Sequence, residues 1–429
     1  MKERTWKLVC MECRAEYSGT SPRYRCECGG KLDVVHDIHA HRGHLDVKKW
    51  NDRRYSHNET DRSGVWRFRE IVLPVPYETV VTRCEGNTNL YGSPRIAGYV
   101  GMDSILLKHE GENPTGSFKD RGMSAGLTAA RMLGMSQVAC ASTGNSAAAM
   151  ASYAATAGMQ AIVFVPEGTV AVGKLHQSLA YGARTIEIPC DFDSLLRLVE
   201  EACLAGDIYL LNSMNPFRFE GEKTIGFELL QDLGWQVPEW VVVPGGNLGH
   251  SAALAKGFRE LYDLRLIGRM PRIAVIQAAG ANPFYTAFKS GEPVTPLEEV
   301  NTFASAIAVG NPYSWRKSLR GLKDTDGLVE EVSDSEILNA KLEVDAAGIG
   351  AESASCATVA GIKKLVEAGT IKKGELVCGI LTGHLLKDLD TIINYHQGRL
   401  EGISAGPVNP LLRASANTDS ILELIRNLD

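Results

Sequence analysis

The 429-residue chain has no uninterrupted apolar run long enough to cross a bilayer. Its opening stretch, MKERTWKLVCMEC, lacks the apolar core of a secretory signal. Both absences point to a cytoplasmic protein. There is no basic excess either: 45 Lys and Arg face 51 Asp and Glu, for a formal net charge of −6. Nucleic acids and anionic membranes attract basic surfaces, so the expected partner is a small molecule. Ten cysteines in a chain this long do not make a disulfide framework. Cys140, Cys190, Cys203, Cys356 and Cys378 mostly sit among apolar neighbours, as buried free thiols do. Low-complexity tails are absent, and with 44% hydrophobic and 22% charged residues the chain can bury a core. Its length suggests two domains with an appendage.

The first forty residues differ from the rest. CMEC and RYRCECGGKLDV bring Cys10, Cys13, Cys26 and Cys28 together beside a Gly-Gly turn. Four thiolates can enclose a tetrahedral zinc, although the second pair is Cys-x-Cys, one residue short of Cys-x-x-Cys, which strains the bite around an ion. Zinc and a degenerate ribbon that merely packs both remain open. The stretch from there to about Val80 is polar, rich in Trp and Arg, and without a clean period. Beyond it, β-branched runs (SILLKH, QVACAS, AIVFVP, RTIEIP, WVVVP, RIAVIQ and LVCGILT) alternate with amphipathic or Ala-rich segments. Helices are predicted over Ser117–Leu133, Ser146–Ala157, Lys174–Tyr181, Phe192–Ala205, Phe219–Leu233 and His250–Tyr262. The alternation implies an α/β fold of open parallel sheets covered by helices. In such sheets ligands bind at the carboxyl ends of strands.

Four strand-end loops carry the chemistry. In GENPTGSFKDRGM, Pro114 and Gly116 break the chain, Ser117 is placed to cap a helix, and Lys119 falls in its first turn. The positive end of a helix destabilises an ammonium there, which favours an amine available for a Schiff base. A salt bridge with Asp120 or Glu110 is the plain alternative. In ASTGNSAAAM, Ser142, Thr143, Gly144, Asn145 and Ser146 offer small donors at a helix start, suited to a carboxylate, and Asn145 also to a phenolic oxygen. The same residues also read as an ordinary capped helix. In VVVPGGNLGH, Gly245, Gly246, Asn247, Leu248 and Gly249 run from a strand into a helix, and their amides make a phosphate cradle. The loop has neither the Gly-Lys-Ser/Thr of a P-loop nor the Gly-x-Gly-x-x-Gly of dinucleotide sites, so the phosphate belongs to a smaller cofactor. In GILTGHLLKD, Thr382 ends a strand with a hydroxyl suited to a ring nitrogen, or simply to a helix cap. Together these loops supply what pyridoxal phosphate requires.

The chain also resembles the threonine synthases, in the tryptophan synthase β-like group of pyridoxal phosphate enzymes. The likeness runs from about Glu85 to His396 through EGNTNLY, ENPTGSFKDRGM, CASTGNSAA, NSMNPFRFEGEKT, VPGGNLGH, QAAGANP, FASAIAVGNP and LTGHLLKD, in family order. The resemblance implies a fold with the cofactor, pyridoxal 5'-phosphate, in the cleft between two domains. It implies that Lys119 holds the cofactor, Asn145 faces its 3-oxygen, Gly245, Gly246, Asn247, Leu248 and Gly249 cradle its phosphate, and Thr382 meets its ring nitrogen. Ser142, Thr143 and Ser146 would take the substrate carboxylate. Asn212, Ser213 and Arg218 resemble the set that binds the phosphate of O-phosphohomoserine, for which a guanidinium fork is chemically suited.

The expected division is a Cys-rich segment over 1–40, a large domain over 41–120 and 216–429, and a small mobile domain over 121–215. A homodimer is implied by the family. His250, Ser353 and Leu385 stand where many members have asparagine, proline and glycine, and none of the three removes a reacting group. A dehydratase or β-replacement enzyme of the same fold is the nearest rival reading. It needs no distal phosphate site, so NSMNPFR is the discriminating stretch. A non-catalytic descendant is a second rival, and an intact Lys119 counts against it.

Overall fold

The computed structural model describes residues 5–168, 175–400, 403, 406 and 408–428. Three sheets organise them. The largest has six strands in the order Leu328–Val332, Arg272–Ala278, Trp240–Pro244, Val377–Leu381, Leu106–His109 and Leu90–Gly92. All pairs are parallel except the last, where Leu90–Gly92 runs antiparallel to its neighbour. The central strands Trp240–Pro244 and Val377–Leu381 are buried at every position. That is why they read as unbroken apolar runs: helices cover both faces, so neither parity can be polar. Val241, Val243, Val275 and Ile380 pack on one face, while Trp240, Val242, Ala274 and Ile276 pack on the other.

A four-stranded parallel sheet has the order Arg184–Ile188, Gln160–Pro166, Gln137–Ala141 and Tyr209–Leu210. Helices Asn145–Ala157 and Phe192–Ala205 pack against it. The third sheet is small and antiparallel, with Trp6–Cys10 between Glu16–Tyr17 and Leu32–His36. Buried apolar residues from all three sheets join in one continuous core, from Trp6 and Leu8 through Val138 and Val163 to Val241 and Val275.

The seven predicted β-branched runs all form strands. The predicted helix over Phe219–Leu233 is two helices, Pro216–Glu222 and Thr224–Asp232, which meet at Lys223. Lys223 is fully buried, and its amine donates to Glu220 at 2.5 Å and Glu260 at 2.6 Å. The segment predicted over Lys174–Tyr181 is helical over His176–Ala180, and Lys174 itself lies outside the described residues. The Trp- and Arg-rich stretch before Val80 folds into short helical turns that bury Trp50, Trp66 and Phe68. Trp66 donates its indole N–H to Ser124 Oγ at 2.7 Å, so this stretch braces the helix Lys119–Met132. Among the described residues no helix is long and apolar enough to cross a membrane.

Candidate active site

The loop before Lys119 is held by an ion pair between its two flanks. Arg121 donates to Glu110 from Nε and Nη2, both at 2.7 Å, and to Glu228 at 2.9 Å. All three are fully buried. Burial alone would lower the Arg121 guanidinium, but Glu110 and Glu228 more than offset it and hold it charged. Between the flanks, Gly116 takes φ +86°, a left-handed turn that suits glycine, and a Cβ there would meet Lys387 Cε at 2.9 Å. Ser117 does not cap the helix. Its Oγ is buried without a partner among the described residues, and the turn is instead fixed by Asp120, which accepts from the Thr115 N–H at 2.7 Å and from the Thr115 hydroxyl. Asp120 is buried there, which pushes its carboxyl up to about 7.

Lys119 is therefore the first residue of the helix Lys119–Met132. It makes no ion pair among the described residues; Glu110 is taken by Arg121 and Asp120 by Thr115. Its amine lies 4.1 Å from the centroid of the Phe118 ring. The side chain is half-buried, and burial among protein atoms pulls its ammonium down to about 8. The leading cause is thus desolvation, where the sequence suggested the helix dipole. Glu222 and Glu352 oppose the shift, and Arg218 adds to it.

The Thr382 loop meets the Lys119 loop through the backbone. The Phe118 N–H donates to Thr382 O at 3.0 Å, and the His384 N–H donates to Gly116 O at 2.9 Å. Thr382 is buried, with its hydroxyl 3.0 Å from Ser355 Oγ and 3.4 Å from Glu352 Oε1. The other carboxylate oxygen of Glu352 accepts from Asn145 Nδ2 at 3.0 Å. Asn145 opens the helix Asn145–Ala157, so this bond, together with that from Lys387 Nζ to Gln177 Oε1, joins the four-stranded sheet's layer to the Thr382 loop. Burial raises the Glu352 carboxyl above its usual range. Gly144, just before that helix, carries no side-chain cap, which leaves the first-turn amides beside Ser142, Thr143 and Ser146 open to an anion. Ser142, Thr143 and Ser146 are half-buried.

The glycine loop closes a third side. A Cβ at Gly245 would lie 2.6 Å from Val275 Cγ1, and one at Gly246 would lie 3.2 Å from Ile307 Cα, so bare backbone forms this wall. Leu248 takes φ +62° and the helix Gly249–Asp263 starts behind it. Asn247 accepts from the Tyr313 and Ser314 amides at 3.3 and 3.0 Å. His250 stacks on Phe118 with ring centroids 4.6 Å apart. Both its ring nitrogens are buried without a partner among the described residues, and burial holds the imidazole neutral, down to about 3.

Arg218 sits on the helix Pro216–Glu222, pressed against the Lys119 helix by glycines. A Cβ on Gly221 would stand 1.9 Å from Arg121 O, and one on Gly122 would stand 2.8 Å from Glu222 Oε1. Arg218 is 3% exposed; its guanidinium donates to Leu211 O at 3.0 Å and Glu222 at 3.1 Å, while its Nε has no partner among the described residues. Asn212 uses both ends of its amide on Ala141, accepting from its N–H at 2.8 Å and donating to its carbonyl at 2.9 Å. It fixes the strand end that leads into Ser142. Ser213 is half-buried in the same loop.

The residues present fit pyridoxal phosphate. A half-buried lysine with a depressed ammonium, a wall of bare backbone and the buried polar atoms of Ser117, Arg218 and His250 that lack a partner among the described residues lie together. Glu352 and Ser355 belong to it too, and the sequence reading passed over them. Their signal is a lone acid before a run of small residues, GAESASC, at a helix start. Two of the three departures are accommodated locally. Ser353 donates its N–H to Asp388 at 3.3 Å, which a proline cannot do, and Leu385 packs on Gly350, where a Cβ would meet Leu385 Cδ2 at 2.5 Å.

Residues 81–383 match the family described as pyridoxal-phosphate dependent enzyme. A threonine synthase of Methanosarcina acetivorans is 45% identical over 392 residues, 91% of this chain and 94% of that protein. A threonine synthase of Methanocaldococcus jannaschii is 43% identical over 387 residues, 90% and 93% of the two chains. Among solved structures, the processed form of threonine deaminase isoform 2 from Solanum lycopersicum superposes with a TM-score of 0.59 at 21% identity, covering 75% of this chain and 89% of that one, a likeness of fold. The chain belongs to the pyridoxal-phosphate-dependent enzymes of fold type II, and within them to the threonine synthases.

Proposed function

We propose that the protein converts O-phospho-L-homoserine and water to L-threonine and phosphate, by γ-elimination followed by β-addition of water. The observation that carries this reading is the buried Arg218, whose Nε has no partner among the described residues and lies beside the lysine site. A buried unpaired guanidinium N–H is costly unless an anion completes it. A phosphorylated substrate supplies that anion in addition to its carboxylate, whereas serine or threonine brings the carboxylate alone. Relatives named threonine synthase that cover nine-tenths of the chain support the same choice over a dehydratase.

In this reading Lys119 holds the cofactor, Asn145 faces its 3-oxygen, Gly245, Gly246, Asn247, Leu248 and Gly249 hold its phosphate, and Thr382 meets its ring nitrogen. When bound, pyridoxal phosphate supplies the electron sink that acidifies the substrate carbons beside the amino group. Ser142, Thr143, Ser146 and the open amides of their helix orient the substrate carboxylate. Lys119, with its ammonium lowered to about 8, alternates between neutral and charged forms near neutral pH. It takes the proton from Cα and then moves protons at Cβ. Arg218, with Ser213, holds the leaving phosphate at Cγ, and Asn212 serves the same subsite while holding the Ala141 strand end. Thr382 offers the ring nitrogen a hydroxyl, which does not insist on a protonated ring.

Within the division 1–40, 41–120 with 216–429, and 121–215, the four-stranded sheet with its packed helices acts as the small mobile domain. Arg121 and the start of the helix Lys119–Met132 stay fixed to Glu110 and Glu228 of the large one. The Asn145–Glu352 bond at 3.0 Å, with the bonds of Gln177 to Lys387 and Thr115, holds the small domain against the large one and keeps stray water out. The reading includes a cytoplasmic homodimer, which light scattering of the purified protein tests. Arg218→Ala tests the phosphate subsite. A rise of at least tenfold in KM for O-phosphohomoserine supports it, and unchanged turnover moves the assignment to a dehydratase or β-replacement enzyme.

A further inference from the structure

The cysteine-rich segment plays no part in the chemistry above, yet its four thiols converge. The Sγ atoms of Cys10, Cys13, Cys26 and Cys28 all lie within 4.8 Å of one another. Cys13 stands 3.4 Å from Cys26, and Cys10 stands 3.6 Å from Cys28. Two sulfurs bound to one tetrahedral zinc, each at about 2.3 Å, stand about 3.8 Å apart. A disulfide would draw them to about 2.05 Å. The sulfurs are therefore spaced as ligands of one ion and not as bonded pairs.

The backbone around them is built for this spacing. Arg14 takes φ +64° and donates its N–H to Cys10 O at 3.1 Å, which turns the Cys-x-x-Cys knuckle. On the other side the Gly29 N–H donates to Cys26 O at 2.8 Å and the Cys26 N–H to Gly30 O at 2.9 Å. This tight turn absorbs the missing residue of Cys-x-Cys, so the strain expected from the short second pair does not keep the four sulfurs apart. Gly30 is bare for a reason: a Cβ there would lie 2.6 Å from Cys10 Sγ and 3.1 Å from Cys28 Sγ. The other convergent cluster, His36 with Glu220 and Glu260, already holds the amine of Lys223 against both carboxylates. Among the described residues no cationic side chain donates to the four sulfurs.

We infer that Cys10, Cys13, Cys26 and Cys28 bind one structural zinc ion, which locks the N-terminal ribbon as a strut across both parallel sheets. The ribbon has only twelve residues in strands, too few to hold its shape without a cross-link. Its contacts reach both layers. The Tyr24 hydroxyl accepts from the Leu210 N–H at 2.7 Å, and Arg25 pairs with Glu200 at 2.8 Å, both on the four-stranded side. On the six-stranded side Lys31 donates to Tyr313 O, and Lys317 donates to Leu32 O at 2.8 Å. Tyr313 is the residue whose N–H reaches Asn247 in the glycine loop. The metal thus fixes a strut that ends one residue from the cofactor cradle.

The test is metal analysis of the full-length protein purified without chelator, by plasma mass spectrometry. About one zinc per chain is expected, with release of that zinc as a mercurial reagent titrates the four thiols. The double variant Cys13→Ser, Cys28→Ser, both exposed at the ribbon surface, should retain less than a tenth of it. Should that variant not fold, replacement of zinc by cobalt in the wild-type protein should give the intense visible bands of a tetrahedral tetrathiolate. Protein without zinc, protein carrying iron in its place, or disulfides Cys10–Cys28 and Cys13–Cys26 found by mass spectrometry would each overturn the inference.

Discussion

Substituting Lys119 by methionine in the cofactor-free protein removes the titrating amine and keeps most of the side-chain volume. Burial lowers the folded-state pKa of Lys119 from 10.5 to about 8. At about 1.4 kcal/mol per unit, the folded chain carries an upper-bound penalty of about 3 kcal/mol for keeping this ammonium charged. Both folded and unfolded chains hold the proton below pH 8, so the full penalty acts at pH 7. Between about 8 and 10.5 the unfolded chain binds more protons than the folded one, and wild-type stability rises with pH. The variant should therefore be more stable than the wild type by up to about 3 kcal/mol at pH 7, and by only about 1 kcal/mol at pH 10. Part of Lys119 faces solvent, which trims both figures without changing the direction. Urea denaturation of the two proteins at pH 7, 8.5 and 10 measures the gap, and all other titrating groups cancel in the difference. A gap that stays constant across these pH values would refute a depressed Lys119. At pH 7.5 the same shift makes the amine neutral in about a quarter of molecules, against about one in a thousand at the ordinary pKa.

Gly245→Ala places a Cβ 2.6 Å from Val275 Cγ1, so the strand end must shift at a cost of about 1–3 kcal/mol. Affinity for pyridoxal phosphate should fall at least tenfold in a fluorescence titration, and unchanged affinity would remove Gly245 from the cradle. Glu110→Gln strips one charge from the buried bidentate pair with Arg121 and should destabilise the fold by about 3–5 kcal/mol, read as a lowered melting temperature. A melting temperature within a degree of wild type would mean that Glu228 alone secures the Lys119 helix.

The strands that close the site were legible because they are central. Trp240–Pro244 and Val377–Leu381 have no solvent face, so the sequence carries them as unbroken apolar runs. Leu328–Val332 escaped notice because it lies at a sheet edge, where Glu330 and Glu331 are tolerated and Glu330 pairs with Lys364 at 3.3 Å. The reactive loops announced themselves through local chemistry, a lysine after a breaker or glycines after a strand. What fixes those loops is not local. Arg67 bonds Glu228 from 161 positions away, and Lys108 reaches the same carboxylate at 2.8 Å from 120 away. No sequence window contains both ends of such a pair. The Trp- and Arg-rich stretch had no readable period for the same reason, since its Trp50, Trp66 and Arg67 find their partners on distant elements. Ser117 illustrates the opposite error: it has the right residue type for a cap, yet Asp120 reaches back to Thr115 and leaves Ser117 buried beside the site.

The most direct measurement is a product balance. The purified protein, loaded with pyridoxal phosphate, is incubated with O-phospho-L-homoserine, and inorganic phosphate and threonine are quantified together, beside parallel incubations with L-serine and L-threonine. Equimolar phosphate and threonine, with no keto acid from serine or threonine, is the predicted result. Keto acid from L-threonine or L-serine with no phosphate released from O-phosphohomoserine would contradict the account.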